Sequence, residues 1–434
     1  MNNRYDCLIR EKSTIKKSIF WYTMGSLCNT VSSVLLLMYV TRILGQNDAG
    51  VFSIAWAIVQ LVLTIGLFNT RDYQVSDTKT KYRFQEYLSL KLFTSLIAIG
   101  CGILYSMMLG NYGYKLLVTF LLCVLFVSDI FADCFSGFFQ QHEKLHIAGK
   151  SNVIRIVFYN LSFLFSLLYF HSLIVSIVLA FLVSSVWIYM FDFQIVKRIT
   201  TIHFAFQWRK MLTLLKACFP LFLGNFLTIF LINIPKNTMN HLYTSDMQAL
   251  YAVLFMPSAL TNMFCMFIFV PLFTSITKRW HQTYVGGYIA LLFKLLLMII
   301  LVNVCVLLGG YILGIPILKL VFNVDVSGLK TPMMLLLLAG GFTSMNNVLN
   351  FSVAVMRKQH YIICGYLIAV MITYGNAHFL IQKYELLGAA FTYLLGISMV
   401  TASLLVINVA LIYKRYQGER RSSSLIIDKD KKMV

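Results

Sequence analysis

Two aspartates, Asp129 and Asp133, stand four residues apart in the otherwise apolar stretch LFVSDIFADCFSG. On a helix that spacing puts both carboxylates on one face. Carboxylates so close repel one another, which favours a shared proton, a bound cation or a neighbouring base. Three bases lie in comparable apolar runs: Lys91 in YLSLKLFTSLI, Arg155 in NVIRIVFYN and Lys294 in YIALLFKLLLMII. An ionised side chain at the centre of a bilayer costs about 2.5 to 3.5 kcal/mol on insertion scales, so each of these five needs a reason to be there. The aspartates could couple to an ion, or form salt bridges with Lys91 or Arg155 that serve packing alone. The cations could receive an anionic headgroup, Arg155 in bidentate fashion, or could snorkel to the lipid surface. Arg42 and Lys236, the latter in NIPKNTMNH, are two further headgroup candidates near the opposite side. Asn225, Asn233, Asn346, Asn347 and Asn350 could meet sugar hydroxyls, or could join helix to helix.

The elements that must position these residues are membrane helices. With 59% hydrophobic and 12% charged residues among 434, and a mean hydropathy of +0.78, the chain lies far from soluble composition, where about 25% of residues are charged. Apolar runs bounded by polar turns predict twelve spans near 18–41, 50–69, 87–109, 115–140, 152–170, 172–191, 217–235, 248–273, 288–313, 333–356, 361–382 and 386–413. The polar, basic Met1–Lys17 predicts that the first span is an uncleaved targeting signal.

The formal charge of +20 could suggest a nucleic-acid binder. Sorting it by side of the membrane removes that reading, because 27 of the 36 Lys and Arg fall on the termini and on connections that share one face. The positive-inside rule makes that face cytoplasmic, with both termini inside, and the basic charge then lies against anionic lipid. The nine Cys form no CxxC or metal-spaced cluster. There is also no Gly-rich phosphate loop, nucleophile elbow or HExxH. No catalytic residue, cofactor or metal is expected, and the protein reads as a non-enzyme.

The two halves echo one another. TRILGQNDAGVFSIA at Thr41–Ala55 aligns with HLYTSDMQALYAVL at His241–Leu254 at an offset of 199 residues, pairing Gly50 with Ala249 and Gly25 with Gly224. A period of that length suits two copies of a six-helix unit. The predicted organisation is a cytoplasmic segment 1–17, an N-lobe 18–191, an amphipathic cytoplasmic linker 192–216, a C-lobe 217–413 and a cytoplasmic tail 414–434. Lobes so related usually enclose a cavity and alternate its access.

TRILGQNDAGVFSIAWAIVQLVLTIGLFNTRDYQVSD, followed by KYRFQEYLSLKLFTS, resembles the Wzx-type polysaccharide flippases of the multidrug/oligosaccharidyl-lipid/polysaccharide exporter superfamily. Arg42, Gly45, Gly50, Gln60, Arg71, Gln74, Asp77 and Tyr87 match the family pattern. The resemblance implies an all-α polytopic protein with about twelve helices in two lobes forming a V around a central cationic cavity. It implies turning an undecaprenyl-pyrophosphate-linked oligosaccharide from the cytoplasmic to the outer leaflet of a bacterial cell membrane for capsule, exopolysaccharide or O-antigen synthesis. Partners would be the lipid-linked oligosaccharide, membrane lipids, and a polysaccharide polymerase and glycosyltransferases. A cation-coupled multidrug exporter of the same superfamily is the alternative, with Asp129 and Asp133 binding H⁺ or Na⁺. A membrane-embedded glycan polymerase or acyltransferase is a third reading, disfavoured by short outer loops.

Overall fold

The computed structural model describes residues 15–76, 82–204, 206–269, 276, 279, 280, 285–356, 358 and 360–431. Helices dominate: α1 (Ile15–Ile43), α2 (Gln46–Leu67), the short α3 (Thr70–Ser76), α4 (Phe84–Met108), α5 (Tyr114–Gln141), α6 (Leu145–Phe170) and α7 (Leu173–Ile199) form the first half. They are followed by α8 (Trp208–Leu242), α9 (Ser245–Phe269), α10 (Gly286–Phe322) and α11 (Lys330–Val355). A last helical stretch, His360–Lys431, is two helices joined at Glu385, where φ is 51° and ψ is −125°. They are α12 (360–384) and α13 (386–431).

Ten stretches among the described residues are long and apolar enough to cross a membrane. The last of them contains both α12 and α13, and the 25-residue α9 stands where the sequence places the eighth span. The N-terminal residues 1–14 and Asp77 lie outside the described residues.

Helix ends follow local chemistry. The α2 helix stops at Phe68, whose N–H bonds the Thr64 carbonyl at 2.9 Å as the backbone turns left-handed at Phe68 (φ 44°) and Asn69 (φ 50°). At the start of α4 the Glu86 carboxylate accepts the Arg83 N–H at 3.0 Å. The connection expected over 192–216 is largely helical. A π-helical turn at Ile188–Phe193 carries α7 on to Ile199, and α8 begins at Trp208. Lys210 in α8 pairs with Glu86 at 2.6 Å, and Gln85 donates to the Thr201 carbonyl at 2.5 Å.

Two compact units divide the chain. The first runs to Val253 and includes Leu318–Val326; the second comprises Leu254–Ile317 and the chain from Ser327. Contact thus keeps α8 with the first seven helices, while the sequence echo counts it as the opening span of the second half. One division follows packing, the other the sequence echo. One core of the first unit joins Tyr87, Phe135, Phe139, Ile147, Ile195 and Leu214 across α4 to α8. In the second unit, Tyr288, Leu292 and Leu295 of α10 pack with Val348 of α11 and Cys265 of α9.

Where backbones touch, glycine permits it. A Cβ on Gly149 of α6 would lie 2.4 Å from the Trp21 backbone of α1, and one on Gly388 would lie 2.0 Å from the Leu380 carbonyl across the α12–α13 turn. The two echoing hairpins meet in the same way inside the first unit, since a Cβ on Gly50 would fall 1.8 Å from the carbonyl oxygen of Ser245. Backbone cannot yield as a side-chain tip can. Gly50→Val is therefore expected to lower stability by about 1–3 kcal/mol or more through overpacking. Gly100→Ala, with nothing within 4 Å of its added Cβ, should be nearly silent. Melting of the detergent-solubilised proteins, followed by size-exclusion chromatography, checks the contrast.

Candidate functional site

A cavity of about 430 Å³ opens inside the first unit between α1, α2, α5 and α6. Its wall repeats at helical spacing: Tyr22, Ser26, Asn29 and Ser33 along α1, and Trp56, Gln60, Leu63 and Leu67 along α2. Asp129 and Asp133 face it from α5, with Asn152, Arg155 and Tyr159 from α6 and Arg71 from α3.

Each aspartate has a base. Lys91 of α4 is 1% exposed, and its Nζ donates to Asp133 Oδ2 at 3.0 Å and to the Leu67 carbonyl at 2.9 Å. The second contact places a cation at the C-terminal end of α2, where helix carbonyls are unpaired. Arg71 reaches the other oxygen of Asp133 at 3.4 Å, donates to Gln140 Oε1 at 2.9 Å and lies 5.3 Å from the centre of the Tyr22 ring. The left-handed pair Phe68 and Asn69 turns the chain so that the short α3 brings Arg71 back beneath the cavity. Arg155, 4% exposed, bonds Asp129 at 2.6 Å and Ser184 of α7 at 3.0 Å. Ser184 meets Ser128 at 2.8 Å, and Tyr159 meets Ser32 at 2.8 Å, so α1, α5, α6 and α7 are laced together around the pair. Asp192 is buried in the π-helical turn of α7, within electrostatic reach of Arg155.

The sequence left open whether the aspartates were neutralised by Lys91 or Arg155, and the geometry brings both pairs together. Lys91 is committed to Asp133 and to a carbonyl, and acts on the cavity through them. Arg155 lines the cavity directly. Arg42 of α1 is exposed, and its guanidinium donates to the carbonyls of Val321, at 2.6 Å, and Leu320, which caps the helical end Ile315–Phe322. Lys236 is half-buried in α8, and Lys294 is exposed on α10 in the second unit.

The five asparagines do not share one site. Asn225 is exposed, and Asn233 bonds its own helix at the Ile229 carbonyl, 3.0 Å away. In the second unit Asn346 donates to the Ile397 carbonyl at 3.4 Å, Asn347 to Asn262 at 2.9 Å and Asn350 to Tyr366 at 2.9 Å, tying α11 to α13, α9 and α12. Those three join helix to helix. The polar lining of the cavity comes instead from Asn29, Gln60 and Asn152, with Tyr22, Trp56 and Tyr159 as its aromatic faces. In the sequence, only the family pattern singles out Arg71 and Gln60. The polar stripe Tyr22, Ser26, Asn29, Ser33 at steps of three and four was the signal available for the rest.

The class defined by this fold and site is a polytopic membrane protein with an ionisable, aromatic-walled cavity. A family model described as polysaccharide biosynthesis protein matches residues 15–277, and the chain belongs to that family. Solved structures share the fold. An inward-facing multidrug resistance MATE family transporter of the MOP superfamily aligns with a TM-score of 0.67 at 11% identity, over 91% of this chain and 96% of that one. The eukaryotic MATE transporter AtDTX14 aligns at 0.62 with 12% identity, over 94% and 98%. The bent form of the Vibrio cholerae MATE transporter VcmN aligns at 0.60 with 10% identity, over 92% and 97%. Comparison with curated proteins returned no match.

The charge cluster makes an asymmetric prediction. Removing one member of a buried pair costs about 3–5 kcal/mol because the other is stranded. Asp133→Ala strands Lys91 and weakens the hold on Arg71, so it should fall in that range. Lys91→Met leaves Asp133 with Arg71 and should cost clearly less. Melting temperatures of the two single variants and the double variant, read as a double-mutant cycle, test this.

Proposed function

We propose that this protein is a flippase moving undecaprenyl-pyrophosphate-linked oligosaccharide repeat units from the cytoplasmic to the outer leaflet of a bacterial cell membrane. The product would feed capsule, exopolysaccharide or O-antigen assembly, with glycosyltransferases supplying the repeat unit and a polymerase consuming it. The supporting observation is the charge arrangement at the cavity: Asp129 and Asp133 are each already held by a base, and Arg71 is a further cation 18% exposed beside them. A diphosphate carrying sugars cannot enter hydrocarbon unaided, because desolvating an anion costs many kcal/mol. A guanidinium with donors to spare replaces water on phosphate oxygens. The prenyl chain can stay in lipid while the headgroup passes through protein by alternating access, with both termini in the cytoplasm.

The likeness to a multidrug resistance transporter keeps the exporter reading in view. A cationic drug needs a carboxylate that is free to meet it, and here Asp129 and Asp133 are both engaged in ion pairs.

Deleting the protein from its host should strand undecaprenyl-linked repeat units on the cytoplasmic face and abolish surface polysaccharide. Arg71→Ala, at unchanged membrane abundance, should lower surface polysaccharide by about tenfold or more, the loss of a charge-assisted contact of a few kcal/mol. Unchanged polysaccharide with new sensitivity to cationic drugs would replace this reading with the exporter.

A further inference from the structure

The cavity of the first unit has two levels. Asn29 lies fourteen residues before the end of α1 at Ile43, and Gln60 fourteen after the start of α2 at Gln46. Asp129 lies fifteen residues after the start of α5 at Tyr114, and Arg155 fifteen before the end of α6 at Phe170. These four helix ends are the ones expected on the outer side. At 1.5 Å per residue the four side chains stand at one depth, about 21–23 Å from those ends. Asp133, with Arg71 and Lys91, is one turn further toward the expected cytoplasmic side. A charged lower level therefore sits beneath an upper ring of amides, one carboxylate and one guanidinium.

Several groups at the upper level have hydrogen-bonding capacity to spare. Arg155 spends its two terminal nitrogens on Asp129 and Ser184, while its buried Nε has no partner. Asn29 and Gln60 line the cavity without a hydrogen-bond partner among the described residues. Asp129 is held through Oδ1, and its side chain is 25% exposed. Trp56, one turn from Gln60, is braced edge-on by Phe126, 5.0 Å between ring centres, and tilted against Phe52 at 5.5 Å. These contacts hold the apolar indole in the cavity wall.

An apolar plate bordered by paired donors and acceptors has the chemistry of a sugar ring. One face of a pyranose presents carbon-bound hydrogens, and its rim carries hydroxyls that both donate and accept. We propose that the upper level is a monosaccharide subsite. A pyranose of the repeat unit lies against Trp56, with its hydroxyls bonded to Asn29, Gln60 and the free oxygen of Asp129. The diphosphate stays one turn below at Arg71. This assignment rests on the flippase reading and adds that the first unit selects the sugar. It also moves sugar recognition away from Asn225, Asn233, Asn346, Asn347 and Asn350.

The test uses the full-length protein in nanodiscs and two kinds of probe in titration calorimetry. One is farnesyl diphosphate; the other is farnesyl diphosphate bearing glucose, galactose, N-acetylglucosamine or N-acetylgalactosamine. For the wild-type protein at least one sugar-bearing probe should bind about tenfold more tightly than farnesyl diphosphate, the worth of one or two well-placed contacts. In Trp56→Ala and Gln60→Ala that difference should shrink to about threefold or less, with farnesyl diphosphate affinity unchanged. Trp56→Phe, which keeps an aromatic face, should retain most of it. Arg71→Gln should weaken both kinds of probe together. No sugar-dependent gain with any probe, or a gain that survives in Trp56→Ala and Gln60→Ala, overturns the subsite while leaving the flippase reading standing. Failure of every probe to bind the wild-type protein overturns both.

Discussion

An ionised group enclosed within the hydrocarbon needs a partner, and the first unit is arranged around that constraint. Lys91 is enclosed at 1% exposure and has two acceptors, Asp133 and the carbonyl at the end of α2. Satisfying it fixes α4 beside α2 and α5 at one depth. Arg155 does the same for α6, α5 and α7 through Asp129 and Ser184. Neutralising these charges by pairing rather than omitting them leaves polar helix faces that would otherwise be apolar. Between those faces lies the cavity.

Close packing sets the limits of that arrangement. Lipid tails give helices little hydrophobic reason to associate, so contact area and polar bonds decide which helices meet. Gly149 lets α6 lie on the backbone of α1, and Gly50 lets the first hairpin lie on its echo at Ser245. The first contact puts Tyr22, Asn29 and Arg155 around one space. The second helps explain why α8 and the start of α9 belong to the first compact unit although the sequence echo places them in the second half.

The spans, the family and the shared face of Asp129 and Asp133 were legible because each is a local property of the chain. Hydropathy marks a span, a spacing of four marks a helix face, and the TRILGQNDAG stretch marks the family. What each asparagine touches was not legible in the same way. Asn346, Asn347 and Asn350 donate to Ile397, Asn262 and Tyr366 and so tie helices of the second unit together. Gln60, from a different helix, faces the cavity instead. An asparagine reads alike in sequence whether it joins helices or meets a ligand.

By itself the sequence determined that this is a polytopic helical membrane protein of a polysaccharide biosynthesis family, and that two carboxylates and a few bases would lie within its spans. Only the tertiary structure decided which base meets which acid, that Lys91 faces Asp133 rather than the cavity, and that Arg71 returns from a short helix to join them. It also decided that Asn29, Trp56, Gln60, Asp129 and Arg155 line one space. The reason is range. Helix formation and membrane insertion depend on residues within a few turns, whereas a site drawn from α1, α2, α3, α5 and α6 exists only once their glycine contacts and ion pairs have brought distant segments to the same depth.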